Sequence, residues 1–560
     1  MTEVIITLSV VFVAAGALLL LANQFSYPII PFYIIAGVIA GVVISPDDII
    51  DLAQWGIAFL VFVFGIRIDL SDIQLVFRDV EIPAVTQLLV VSVIAASIGY
   101  GLSLSFGFEH PSRNAIYFAA AAILSSTIVG SGILANEIQN NLVYGRLSSS
   151  IHFFDDIIAI GLVLILSAET LTDPQLIASN IGVGVLLLLA GIVFYRYGFP
   201  ILVRIAGGSD ELVLMGSISI LIAFIAAAEI TNVSIVVGAF AAGLAIRDTG
   251  EEALTVRNGI NSIKDFFAAV FFVTIGALVQ LPTIETLVLT AVLITLVLFV
   301  NPAIYTVAFL YEGYDIRTSF FASSALTQTS EFALIIAIQA WMLGTIAQDL
   351  FNAIILAAAI TMIATALIRR YEETLYSIIS TYIINEHRTR QVDEHSSVDK
   401  TLEDHTVIIG YSQKARQLVR RLEALNEPYV VVENDPVQRK ALESDCQNYV
   451  FGDAMASYPM EKARVSQANL VVSTVDYDPL SRSLIEYAAE TDIIVQADNP
   501  VNAQELLDMG ATFVALPDRL ASNQLIENIQ RVCEDNQEIS RLKEEHLRYL
   551  SGLSDEPVSR

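Results

Sequence analysis

From its amino terminus as far as Arg370 the chain alternates long apolar runs with short polar turns almost without pause. As a helix, about 17 to 25 residues suffice to cross the ~30 Å hydrocarbon layer of a bilayer. On that measure the runs predict about thirteen spans, near 4–22, 28–45, 52–68, 82–106, 114–135, 148–168, 180–203, 211–229, 233–247, 264–281, 285–310, 318–341 and 350–369. Basic residues from Arg67 to Arg370 fall at span ends belonging to one side, and Arg113 falls on the other. By the positive-inside rule the first side is cytoplasmic, which puts the amino terminus outside and the tail inside. The pattern changes after Arg370, where a polar stretch and a charged linker lead into buried strands alternating with amphipathic helices. The expected fold is therefore a polytopic all-α membrane bundle followed by a C-terminal α/β, Rossmann-like domain. Its divisions are 1–372 membrane domain, 373–403 linker, 404–540 nucleotide-binding domain and 541–560 acidic, polar tail.

Composition supports that division. The chain is 55% hydrophobic and 16% charged, too apolar for a soluble protein of 560 residues. Its formal net charge of −29 excludes a nucleic-acid partner and resembles the solvated acidic surface of a halophile; an acidic soluble domain from another host reads the same way. The first apolar run lacks a basic leader and a cleavage site, so it reads as a retained helix. Cys446 and Cys533 have no ligand spacing, so neither a disulfide framework nor a metal site is expected.

Candidate chemistry begins in the sixth span, where His152-Phe153-Phe154-Asp155-Asp156 places adjacent carboxylates in apolar surroundings. Intramembrane carboxylates are costly and default to ion or proton pathways. A desolvated carboxylate can hold either a proton or a small cation, and competition for one site couples the two. One aspartate acting as a helix cap, with the other facing the loop, is the structural alternative. His152 lies on the same helical face, as a relay or as an ordinary solvated histidine. The fifth span carries Ser125-Ser126-Thr127-Ile128-Val129-Gly130-Ser131-Gly132, and the twelfth carries Ser323-Ser324-Ala325-Leu326-Thr327-Gln328-Thr329-Ser330-Glu331-Phe332. Small polar runs at matching places in two halves are expected of broken helices in inverted repeats, whose ends meet an ion at mid-membrane. Close helix packing is the alternative use of small residues.

These stretches, with Phe271 to Val279 and Ala325 to Ile335, resemble the cation:proton antiporter-2 family over roughly residues 5–370, which includes Kef-type potassium efflux systems and sodium/proton exchangers. The resemblance implies that Asp156 is the principal shared site for proton and cation and that Asp155 assists. It implies a broken-helix site at Ser126, Thr127, Gly130, Thr327, Gln328, Ser330 and Glu331. Kef-type members usually carry Gln where Asp155 stands, so the pair is closer to sodium/proton exchangers. Electrogenic exchangers often carry a lysine in the eleventh span, where this chain has Phe299-Val300-Asn301-Pro302; Asn301 and His152 are accessory candidates.

In the tail, Thr406 to Ile409 reads as a buried strand, Gly410-Tyr411-Ser412-Gln413-Lys414-Ala415 opens a helix, and a second strand, Tyr429 to Val432, ends in Glu433. That is the plan of a dinucleotide fold, with a helix amino terminus for phosphate and an acid for ribose, although Ser412 and Ala415 replace two glycines. Further strands are expected at Phe451 to Ala454, Leu470 to Asp476, Ile493 to Ala497 and Phe513 to Pro517. Together they resemble the TrkA-N type domain that regulates potassium conductance. This implies regulatory NAD(H) or AMP/ATP near Gly410, Ser412, Gln413, Glu433, Asp453 and Asp476, and dimerisation through the helix after Pro517.

The reading that explains both halves is a monovalent cation (Na+ or K+):proton antiporter in a prokaryotic cell membrane, homodimeric, regulated by nucleotide, and not an enzyme. A nucleotide-gated potassium channel explains only the second half: Thr274 to Leu278 is a poor match to a potassium filter.

Overall fold

The computed structural model describes residues 27–41, 50–67, 80–140, 142–166, 174–207, 209–246, 266–383, 392–488 and 491–534, with isolated residues nearer both termini. The chain divides into two compact units, Met1–Tyr382 and Ile383–Arg560.

The first unit is helical. Its helices are α1 (Ile29–Ala40), α2 (Ile50–Arg67), α3 (Val80–Ser105), α4 (Pro111–Ile123), α5 (Thr127–Ile133), α6 (Val143–Leu166), α7 (Ala178–Ala206) and α8 (Asp210–Ile230). They continue with α9 (Ile235–Ala245), α10 (Phe266–Ala277), α11 (Ile284–Glu312), α12 (Ile316–Ser324), α13 (Glu331–Met342), α14 (Gln348–Arg370) and α15 (Glu372–Ile383). Each expected span from the second onward is occupied by a helix or a pair of helices; most of the first lies outside the described residues, as do the basic residues Arg78, Arg247, Arg257 and Lys264. Among the described residues, six helices are long and apolar enough to cross a membrane by length and composition. The most exposed of these, α7, presents Leu186, Val193, Ile201 and Ile205 outward. Such a surface would be costly in water and is at home against lipid.

Two spans are interrupted. Between α4 and α5 the backbone opens at Leu124 and Ser126, both extended, and between α12 and α13 it opens from Leu326 to Ser330. Among the described residues three helices are locally loosened into π turns, α3 at Gln87–Val91, α7 at Phe194–Gly198 and α11 at Leu296–Val300. In α11 the turn precedes Pro302, whose missing N–H and bulky ring prevent a regular ladder there.

The second unit carries a parallel sheet in the order β3-β2-β1-β4-β5-β6. Its elements are β1 (His405–Ile409), α16 (Gln413–Leu425), β2 (Tyr429–Glu433), α17 (Pro436–Asp445), β3 (Tyr449–Phe451), α18 (Ser457–Lys462), β4 (Ala468–Ser473), α19 (Asp478–Tyr487), β5 (Asp492–Gln496), α20 (Pro500–Asp508), β6 (Phe513–Ala515) and α21 (Pro517–Glu534). The all-apolar runs at Val407 to Ile409 and Val430 to Val432 are buried on both faces, as central parallel strands require. The four later strands all end before their expected bounds, β5 at Gln496 and β6 at Ala515 only slightly, β3 at Phe451 and β4 at Ser473 more so. After β3, Asp453 turns the chain by accepting a hydrogen bond from Met455 N at 2.9 Å. After β4, Ser473 Oγ accepts from Val475 N at 3.3 Å and bends the backbone before Asp476 is reached. Preceding the sheet, Ser397 pairs with Tyr449 across an isolated bridge, and Val392 is buried in the core of this unit.

Candidate functional site

The two interrupted spans cross at their breaks. Ser125 and Thr329 form an antiparallel bridge, and Ser330 N donates to Leu124 O at 2.9 Å. Half-helix ends of opposite polarity therefore converge: the carboxyl ends of α4 and α12, and the amino ends of α5 and α13. Ser126 and Ser330 cap those amino ends, accepting from Val129 N at 3.2 Å and from Phe332 N at 3.0 Å. The caps also tie the breaks together, for Ser126 Oγ donates to Glu331 Oε1 at 2.5 Å and Ser126 O accepts from Gln328 Nε2 at 3.1 Å. Thr327 Oγ1 donates to Ser324 O at 2.8 Å and lies 2.9 Å from Thr365 Oγ1.

Asp155 and Asp156 sit in the middle of α6, not at its start as a capping role would need. Both are buried, and each meets a different residue of the first break. Asp155 Oδ2 accepts from Ser125 N at 3.0 Å and from Ser125 Oγ at 2.5 Å, whereas Asp156 Oδ1 accepts from Thr127 Oγ1 at 2.8 Å. Adjacent helical residues point about 100° apart, so the pair straddles the break. Asp156 thus stands at the positive end of α5.

His152 is buried, not solvated, and its Nδ1 lies 2.9 Å from the Ser125 hydroxyl that also bonds Asp155. Gly130 lies inside α5, past the break. A side chain there would collide with the imidazole, since a Cβ would come 2.0 Å from His152 Nε2. Asn301 Nδ2 donates to Ala122 O at 2.6 Å, and Gln87 Nε2 donates to Ile123 O. Neutral amides from α3 and α11 thus occupy the last carbonyls of α4. Asn301 Oδ1, Gln328 Oε1 and Thr329 Oγ1 have no hydrogen-bond partner among the described residues. Buried oxygens of this kind call for water or a cation.

In the second unit, the assigned residues lie at the carboxyl edge of the sheet. Gly410 follows β1, Glu433 ends β2, Asp453 follows β3 and Asp476 follows β4. The strand order reverses between β1 and β4, the place where open α/β sheets bind ligands. Gly410 has φ +87°, and a Cβ there would lie 2.7 Å from Val475 Cγ2. Ser412 precedes the first turn of α16, with its Oγ 3.4 Å from Thr474 Oγ1, and Gln413 opens the helix exposed. Glu433 braces the turn from beneath: Oε2 accepts from Tyr411 N at 2.6 Å, and Oε1 from Asn434 N and Asp435 N at 2.8 Å each. Burial, then the neighbouring Asp435, holds the Glu433 carboxyl above its ordinary range. Asp476 is likewise raised, by burial first and then by Asp498 and Asp478.

Residues 9–370 match the family described as sodium/hydrogen exchanger, transmembrane, and residues 406–517 match the TrkA-N domain. The chain belongs to the sodium/hydrogen exchanger family. Among its relatives, one from Alkalimonas amylolytica bears the name K(+) efflux antiporter KefB and is 24% identical over 515 residues, 88% of this chain and 76% of its own length. Cation/proton antiporter YbaL of Escherichia coli K12 is 24% identical over 565 residues, covering 94% of this chain and 98% of that protein. The membrane fold is that of the sodium proton antiporter MjNhaP1 from Methanocaldococcus jannaschii, with a TM-score of 0.50 at 14% identity over 67% of this chain and 98% of that one.

Several residues of this exchanger's crossing escape a reading by motif. Ser125 joins His152 to Asp155, Gln87 caps α4, and Thr361 Oγ1 accepts from Thr329 N at 3.2 Å. Thr361 and Thr365 stand four apart in the apolar second half of their span, a spacing that would have flagged them. Near the glycine turn, Lys414 in the first turn of α16 donates to Gln496 Oε1 at 3.2 Å.

Proposed function

We propose that the membrane unit exchanges a monovalent cation, sodium or potassium, for protons at Asp155 and Asp156, as a secondary active transporter. The observation that carries this reading is the placement of two buried carboxylates against separate residues of one helix break, where four half-helix ends meet. Asp156 faces Thr127 at the amino end of α5 and is the principal exchanging group; Asp155, held by Ser125, assists. A proton and a cation compete for these oxygens, and that competition couples their fluxes. Ser126, Thr127, Thr327, Gln328, Ser330 and Glu331 shape the crossing, Gly130 makes room for His152, and Asn301 stabilises the end of α4 as a neutral group where electrogenic exchangers often place a lysine.

The TrkA-N domain binds NAD(H) or an adenine nucleotide at Gly410, Ser412, Gln413, Glu433, Asp453 and Asp476, and this binding regulates exchange. The protein resides in a prokaryotic plasma membrane with its amino terminus outside and the TrkA-N domain in the cytoplasm. It acts as a homodimer, a reading supported by the exposed Leu520, Leu525, Ile526 and Ile529 on α21.

The test is cation-driven proton movement in proteoliposomes, with Na+ and K+ supplied separately and with or without NADH and AMP. Proton counterflow driven by one or both cations and altered by a nucleotide supports the assignment. Conductive cation flux without proton counterflow overturns it in favour of a channel.

A further inference from the structure

Where α14 ends, charged residues that the exchange site does not use gather into one cluster. Arg369 is held between Glu137 Oε1, at 2.7 Å, and Glu372, with all three side chains less than one-fifth exposed. Arg317 pairs with Glu373. Aromatic rings join the two groups. The Arg317 guanidinium lies 4.4 Å over the Phe321 ring, Phe321 packs edge-on to Tyr144 at 5.5 Å, and Arg369 lies 5.7 Å over Tyr144. Tyr376 closes the cluster against Phe321 at 5.8 Å and Phe320 at 5.9 Å.

Each participant outside α15 belongs to an element that leads to the exchange site or supports it. Glu137 lies in the short helix Ala135–Gln139, directly after α5. Tyr144 is in the first turn of α6, which carries Asp155 and Asp156. Arg317, Phe320 and Phe321 belong to α12, which ends at the second break, and Arg369 belongs to α14, whose Thr361 and Thr365 support that break. Glu372, Glu373 and Tyr376 all lie in the first two turns of α15, the segment by which the chain leaves the membrane unit in sequence.

We propose that α15 is the coupling helix of the nucleotide response: it transmits displacement to both interrupted spans through Glu373–Arg317 and through Glu372–Arg369–Glu137. This rests on the exchange and nucleotide readings above. Separating a buried arginine from its carboxylates leaves an uncompensated charge, so these elements move together and do not slide past one another. A helix gripping both breaks shifts the balance between the two arrangements of the crossing, which is what allosteric control of the site requires.

The test uses the full-length protein with Glu373→Gln and, separately, Tyr376→Leu, both outside the exchange site and partly exposed. Nucleotide affinity is measured by calorimetry in detergent, and exchange in proteoliposomes with NADH and with AMP. Both variants are expected to bind nucleotide and exchange at the basal rate as the unsubstituted protein does, while a nucleotide effect of ~5-fold or more falls below ~2-fold. Hydrogen–deuterium exchange gives a second readout if exchange is weakened: nucleotide alters protection at 125–139 and 316–331 in the unsubstituted protein and not in the variants. Variants that respond as fully as the unsubstituted protein overturn the coupling role and leave nucleotide control standing. An unsubstituted protein that binds nucleotide with no change in exchange or protection overturns both.

Discussion

Replacing Gly130 by alanine sets two opposing effects of known size against each other. In the helix Thr127–Ile133 an alanine is ordinarily favoured over glycine by roughly 0.5–1 kcal/mol, because it has less backbone entropy to lose. Here the new methyl would sit 2.0 Å from His152 Nε2, 2.6 Å from Cε1 and 2.8 Å from Cδ2. The ring has little room to retreat, being 1% exposed and within 2.9 Å of Ser125 Oγ through Nδ1. Overpacking of this kind costs about 1–3 kcal/mol, and losing the Ser125 contact costs about another 1 kcal/mol. The clash wins, and Gly130→Ala is expected to destabilise by about 1–3 kcal/mol net. In a His152→Ala background the obstacle is gone, and the same substitution becomes neutral or stabilising by up to ~1 kcal/mol. Equilibrium unfolding in mixed micelles across this double-mutant cycle measures the change of sign. Because Ser125 also holds Asp155, exchange should fall in Gly130→Ala and recover in part in the double variant. An equal loss in both backgrounds would refute the contact.

Arg369→Met should cost about 3–5 kcal/mol, since it strands the carboxylates of Glu137 and Glu372; unfolding midpoints in detergent measure the loss, and one below ~1 kcal/mol would count against the buried triad. Burial pushes the Glu372 carboxyl from 4.5 up to about 7 against the pull of Arg369. A group whose folded value is raised holds a proton that the unfolded chain releases, so its stabilisation is full below about pH 4.5 and is lost as pH rises through about 7. The unfolding midpoint should therefore decline across this window, with a slope that Glu372→Gln flattens; an unchanged slope in that variant would contradict the assignment. Gly410→Ala forces a side chain into a backbone at φ +87° and against Val475, a strain of about 1–3 kcal/mol. Nucleotide-induced thermal stabilisation of the full protein should disappear in that variant, and its survival would move the ligand away from the glycine turn.

The architecture was legible because its causes are local. Apolar run length marks each span, and the strand, turn, helix, strand and acid order from Thr406 to Glu433 marks a parallel dinucleotide-type sheet. The acid pair and the small polar runs could be singled out because polar groups in apolar spans demand a reason. What they touch was not legible. Ser125 reaches Asp155 and His152 from the break in another span, and Ser126 meets Glu331 across 205 positions. Gly130 looked like a helix breaker because glycine favours breaks, but its place is set by an imidazole on α6. The Arg317, Arg369 and Tyr376 cluster is assembled from five segments with no shared spacing, and so left no motif. Strand ends were misjudged at Asp453 and Asp476 because side-chain turns at Asp453 and Ser473 stop the ladder before hydrophobicity does.

The central claim is that proton and cation share one carboxylate site, and the most direct measurement is proton release on cation binding. Purified protein in weakly buffered detergent solution is titrated with Na+ and then with K+, and the pH change is followed with an indicator dye. Release of about one proton per chain is expected on saturation with the transported cation, abolished by Asp156→Asn and reduced by Asp155→Asn. Saturable cation binding without proton release, or release undiminished in Asp156→Asn, would contradict it.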